Sequence, residues 1–187
     1  MKKLVLIGLV SAVLAGCTSA DRVSKVNSPV QGMVYNSVAS TYTPMLTTAS
    51  IASFPDDQEL IYRAESYKAN SYGGRQFVVL RILKSNVKEH EELLQKFIKW
   101  DNLAKARNEQ FTKLIGSAKV HNGNMIYTFH SGNQYENILS VCFDVLTTSV
   151  CGVDPISFDR KNVELILKDI QKFKQGGFKH TDLSVYQ

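Results

Sequence analysis

The sequence predicts an α+β domain, mainly antiparallel sheet, with two amphipathic helices packed on one face and one disulfide. Three observations lead there. Stretches of period two are joined by tight-turn residues such as Asn122-Gly123. Two stretches of three-and-four period, one after Asn86 and one after Asp159, interrupt them. Two cysteines, Cys142 and Cys151, fall close together late in the chain. Strand runs joined by tight turns imply antiparallel pairing, and helices between the runs can cover one face of the sheet.

The chain opens with Lys2 and Lys3, an apolar run from Leu4 to Leu14, and then Ala15-Gly16-Cys17. This is the layout of a secretory signal peptide. The apolar run is too short to cross a hydrocarbon core, which needs roughly 20 residues. Leu14-Ala15-Gly16-Cys17 resembles the lipobox of bacterial lipoproteins. The resemblance covers these four residues and speaks to processing, not to fold. It implies that Cys17 receives a diacylglycerol, that residues 1–16 are removed, and that the new N-terminus is acylated, palmitate being a chain of that class. Two or three chains hold firmly, since each buried methylene contributes about 0.8 kcal/mol. In that class an Asp after the Cys favours retention at the inner membrane. Thr18 here implies an outer-membrane lipoprotein facing the periplasm.

Without residues 1–16 the chain has about 171 residues, the size of one domain. The composition, 44% hydrophobic and 21% charged, suffices for an ordinary core. Loss of Lys2 and Lys3 takes the formal charge from +5 to about +3, with no basic stripe, so nucleic acid is not an expected partner. Three cysteines leave one over in an exported protein; lipidation of Cys17 resolves this and leaves Cys142 and Cys151 as a pair.

Residues 17–55 are rich in Ser and Thr and interrupted by Pro29, Pro44 and Pro55, which reads as a lipid anchor and tether. Tyr35, Tyr42, Met45, Leu46, Ile51 and Phe54 are more than a pure linker carries, so docking of part of it, around Met33 to Val38, stays open. Residues 56–187 form the expected single domain. Glu59–Tyr67 and Gln76–Lys84 are strands joined at Asn70-Ser71-Tyr72-Gly73-Gly74, the second with Val78, Leu80 and Ile82 on one face and an apolar other face that suggests a central position. About Val87 to Ile115 is helical, capped by Asn86, carrying Glu89, Glu91 and Glu92 near its positive end, with a possible break at 102–108. Asn122-Gly123 as a two-residue loop would set Val120 opposite Met125 and Ala118 opposite Tyr127. After a turn at Ser131-Gly132-Asn133, Leu139, Val141, Phe143 and Val145 share a face and Cys142 points the other way. A tip at Leu146-Thr147 would set Cys142 opposite Cys151, although Leu-Thr is poor chemistry for it and a longer connection is the alternative. Asp159 caps a second helix through Val163, Ile166, Leu167, Ile170 and Phe173, stopped at Gln175-Gly176-Gly177.

The chain has no Gly-x-Ser-x-Gly elbow, phosphate loop or His-Glu-x-x-His motif. His121 and His130, with Glu136 or Asp144, are the only residues that suggest a metal or hydrolytic site, and their spacing is loose. His130 and Ser131 point to opposite faces of a strand. Glu89, Glu91 and Glu92 crowd one helix start, and Trp100, Tyr62, Tyr67 and Tyr72 could line a glycan or peptide groove. No catalytic residue, metal or cofactor is assigned. The expectation is a non-enzymatic envelope module, attached to the membrane through lipid on Cys17, that binds an envelope protein or cell-wall component. The alternatives are a carrier of a small apolar ligand and an envelope hydrolase.

Overall fold

The structure is a computed structural model describing residues 20–69, 74–132, 135–144, 154–180 and 184–186. The lipobox with Cys17, the turn residues 70–73, Asn133, the Leu146-Thr147 tip and Cys151 lie outside the described residues. The elements in chain order are β1 (Arg22–Val26), β2 (Met33–Asn36), β3 (Thr41–Pro44), β4 (Thr47–Ser53), β5 (Gln58–Ala69), β6 (Arg75–Leu83), α1 (Val87–Arg107), β7 (Thr112–Val120), β8 (Gly123–Ser131), β9 (Asn137–Asp144), β10 (Ile156–Phe158) and α2 (Arg160–Lys174). All described pairings are antiparallel, so the protein is α+β as expected. There are two sheets where one was expected. Their orders are β1-β4-β5-β6 and β3-β2-β10-β9-β8-β7. Among the described residues no helix is long and apolar enough to cross a membrane.

The largest correction concerns residues 17–55. From Arg22 onward the expected tether forms four strands shared between the sheets: β1 and β4 join one, β2 and β3 the other. Val30, Met33, Val34, Ala49, Ile51 and Ala52 are buried. Gly32 sits where the chain changes sheet. A Cβ there would lie 2.8 Å from the Ile156 side chain, which would have to shift to admit it.

The second sheet and the helices share a core. α1 packs against β6, β7 and β8, α2 against β9 and β10, and the helices against each other. α1 buries Val87, His90, Leu94, Phe97, Asp101 and Ala104, one stripe at three-and-four spacing. It stops at Arg107, because Asn108 turns left-handed (φ 51°) and its N–H closes on the Ala104 and Lys105 carbonyls. Thr112 to Ile115, expected to be helical, belong to β7 instead, and Phe111 stands just ahead of it. Asn86 does not cap the helix with its side chain, which donates to the Lys119 carbonyl at 3.2 Å. In α2 the expected cap is present: Asp159 accepts from the Asn162 N–H at 2.8 Å.

β6 is an edge strand, not a central one. Its second apolar face is covered locally, with the Arg63 guanidinium 3.4 Å over the Phe77 ring. The β7–β8 hairpin pairs Val120 with Gly123 and Ala118 with Met125, two residues away from the expected register. A slip of two keeps every side chain on its face, so Ala118, Val120, Met125, Tyr127 and Phe129 all reach the core. Gly123 is the reason for the slip: a Cβ there would lie 2.6 Å from the Asp144 carbonyl, so this glycine serves the strand, and Asn122 (φ 64°) serves the turn. In β9, Leu139 and Val141 face the core and Cys142 lies on the opposite face beside Ile126, as expected. The register Val141↔Ile156 puts Pro155 in line with Cys142, while Cys151 lies outside the described residues.

Two hydrogen-bonded groups sit in this core. Asp169 on α2 accepts from the Tyr62 hydroxyl on β5 at 2.8 Å and from Ser28 at 2.5 Å. His90 on α1 has Nδ1 2.6 Å from the Tyr127 hydroxyl, and both residues have 0% exposure. Burial lowers the His90 pKa from 6.5 to about 4, partly offset by a backbone hydrogen bond to Lys119. Burial also pushes the Tyr127 hydroxyl up, so it donates to a neutral imidazole. An unfolded His90 takes up a proton through 6.5 and the folded one only through about 4. The stability from this site is therefore complete above 6.5 and declines as pH falls through that interval, by up to about 1.4 kcal/mol per pH unit. Urea unfolding between about pH 7 and 4 should show this slope and lose it in His90→Gln. An equal slope in the variant would refute the assignment.

Candidate functional site

A cleft lies where α1 ends and β7 begins. Its volume is about 440 Å³, and Trp100, Leu103, Phe111, Thr112, Lys113 and Glu109 line it. α1 supplies Trp100 and Leu103 from its last two turns. The left-handed Asn108 then reverses the chain so that Phe111, just ahead of β7, and Lys113, on it, return beside them. Phe111 stacks on Phe129 with ring centres 4.8 Å apart, and Trp100 meets both rings edge-on at 6.2 and 6.0 Å. Lys96 and Lys113 hold their ammonium groups 5.0 and 5.5 Å from the Trp100 ring. The cleft continues across Leu103, which is 50% exposed, onto the surface of α1 at Ile98, Lys99 and Asn102.

A buried carboxylate fixes this corner. Asp101, with 0% exposure, accepts from Asn137 at the start of β9, from Lys105, and from Arg160 at the start of α2, each at 2.9 Å. Burial by itself would raise its pKa, but the hydrogen bonds from Asn137, Lys105 and Arg160 together hold it below the usual carboxylate range. The charge stays on at neutral pH and ties the end of α1 to β9 and α2.

The histidines and acids singled out in the sequence do not form one site. His121 stacks on Phe54 at 4.3 Å in the β7–β8 turn, and Asp144 lies near it, at the end of β9. His130 is at the other end of β8, where it shares a cavity of about 260 Å³ with Tyr35, Tyr42 and Glu136. Its Nδ1 is 2.7 Å from the Thr112 hydroxyl. Tyr42 is raised by burial, against a hydrogen bond with Ser140, and stays protonated at neutral pH. Thr112 and His130 are thus a hydroxyl and a base in contact, but they stand in an exposed position where water solvates any developing charge. The aromatic groove also divides: Tyr62 is core, Tyr67 is 51% exposed on β5, Tyr72 lies outside the described residues, and only Trp100 reaches the cleft. Glu91 accepts from Gln171 and Lys174 of α2 and serves helix packing.

Phe111, Lys113 and Leu103 were missed in the sequence because Phe111 and Trp100 fitted one continuous helix. The Asn108-Glu109-Gln110 break was the available signal. No family model, curated protein or solved structure matches the chain.

The cleft divides into a structural floor and an available rim. Phe111→Ala should cost about 2–3 kcal/mol in urea unfolding, below the range for a fully buried Phe. Leu103→Ala should stay within about 0.5 kcal/mol. Equal costs would contradict that division.

Proposed function

We propose that this protein is a lipid-anchored cell-envelope protein, held at the outer membrane through acyl chains on Cys17, facing the periplasm, and acting as a non-enzymatic binding or assembly module. The observation that carries the reading is the α1–β7 cleft, where exposed Leu103 and the Trp100 ring stand beside two lysines that no described carboxylate neutralises. Aromatic residues in a partly apolar hollow are what a partner's anchor residue requires. The separation of His121 and Asp144 from His130 and Glu136 supports binding over hydrolysis.

β1 begins at Arg22, so four residues separate it from the acylated Cys17, five Cα steps with a reach of about 18 Å when extended. The domain then rests close to the bilayer, with the partner coming to it. The oxidising periplasm also favours a Cys142–Cys151 disulfide, closed across the β9–β10 connection. A carrier of a small apolar ligand is the second reading, favoured by a cleft volume within the roughly 300–1,000 Å³ range of small-molecule pockets.

The test is photocrosslinking in intact cells with p-benzoylphenylalanine in place of Leu103, and in place of exposed Val38 as control. The reading predicts one dominant envelope-protein adduct from position 103, lost in Cys17→Ala. A lipid adduct would favour the carrier. Identical adducts at both positions would refute a specific cleft.

A further inference from the structure

We propose that the cleft receives an extended acidic peptide, which adds as a further strand along Thr112–Leu114 and places an apolar side chain over Trp100 and Phe111. This rests on the binding-module reading and names the chemistry of its partner.

β7 is the edge of its six-stranded sheet. The Ser131 N–H donates to the Phe111 carbonyl at 3.0 Å, and the register pairs Thr112 with His130 and Lys113 with Phe129. In an antiparallel ladder the bonded residues alternate, so Phe111 and Lys113 bond to β8. Thr112 and Leu114 therefore turn their N–H and C=O groups off the sheet. Farther along, the edge is occupied. The Ile115 carbonyl accepts from Lys96 at 2.7 Å, the Lys119 carbonyl accepts from Asn86, and a register shift falls between Leu114 and Gly116. The open edge is Thr112–Leu114, and the cleft lies along it.

A lysine and a bulge suffice to guard an edge against aggregation. They do not require an aromatic-floored cleft with a half-exposed leucine beside it. A strand added here directs alternate side chains toward α1, where Trp100, Leu103 and Phe111 receive an apolar group. The charge at the rim selects its neighbours. Glu109, the carboxylate of the cleft, is bonded to Arg107 at 2.7 Å, while Lys96 and Lys113 have no carboxylate within ion-pair reach among the described residues. Acidic side chains two residues before and after the apolar one share its face and complete both lysines.

Trp100 is the chain's single tryptophan, so its emission reports on the cleft directly. The full chain is titrated with three synthetic peptides: alternating Glu and Val around a central Leu, the same with Lys for Glu, and the acidic peptide N-methylated on alternate residues. The proposal predicts a saturable emission change with the acidic peptide, weakened about tenfold or more by N-methylation and by added salt, and none with the basic one. Lys113→Glu should reverse the charge preference. If that variant misfolds, Lys113→Gln should weaken the acidic peptide several-fold. Equal binding of the methylated peptide, equal binding of the basic one, or no change with any peptide overturns the proposal. So does an emission change given only by anionic vesicles or peptidoglycan fragments. If the peptides fail while the Leu103 photoadduct persists, the binding module stands and this chemistry falls; if both fail, both readings fall.

Discussion

The carboxylate of Asp169 is the junction on which the arrangement of this protein depends. It sits on α2, takes a hydrogen bond from Tyr62 in the middle of β5, and takes another from Ser28 in the segment between β1 and β2. A buried charge is tolerable only when its lone pairs are filled. Three parts of the chain are therefore held to one point. Next to it the Gln31 N–H donates to Asn162 at 2.7 Å. On the far side His180 bridges Ser24 of β1 and Ser53 of β4 through its two ring nitrogens, at 2.8 and 2.7 Å. The N-terminal strands are thus fastened by α2 and by the C-terminal segment as well as by their own ladders.

This bears on the proposed lipid attachment at Cys17. With β1 built into the sheet, Cys17 is separated from the folded domain by a few residues only. The start of α1 stays near β1, because the Lys84 N–H bonds to the Gln58 carbonyl and Gln58 pairs with Ser53. Trp100 lies thirteen positions along the helix from Val87, about 20 Å at 1.5 Å per residue. The cleft thereby lies at the end of α1 away from β1, and the Asp101 bonds to Asn137 and Arg160 hold it in place. In the proposed lipoprotein, with acyl chains on Cys17, the cleft would stand at the end of the domain away from its attachment.

What could be read from the sequence follows the strength of each local pattern. α2 was legible because Asp159 and the Val163, Ile166, Ile170, Phe173 stripe agree. β5, β6, β8 and β9 were legible because their apolar residues alternate. β4 was not: Thr47–Ser53 carries one large apolar residue, Ile51, among Ala, Ser and Thr, and it is a strand because β1 and β5 pair with it on both sides. β1 to β3 are shorter still, and the pairing of Met33 with Ser157, far away in sequence, gives β2 its place in the second sheet. The cleft was hidden for a related reason. Trp100 and Phe111 fit one helical face, and the left-handed turn at Asn108 that puts them on two walls leaves little trace in composition. His130 and Thr112 were brought together by a register that could not be drawn while residues 111–115 were read as helix.

Site-resolved amide hydrogen exchange of the full chain tests most directly whether the domain begins at Arg22. The account predicts that the amides of Thr47–Ser53 are protected to the same degree as those of Glu59–Tyr62, since β4 and β5 open as one unit. Exchange at coil rates throughout residues 22–53, with protection retained in β5 and β6, would restore a tether and contradict the role given to Asp169.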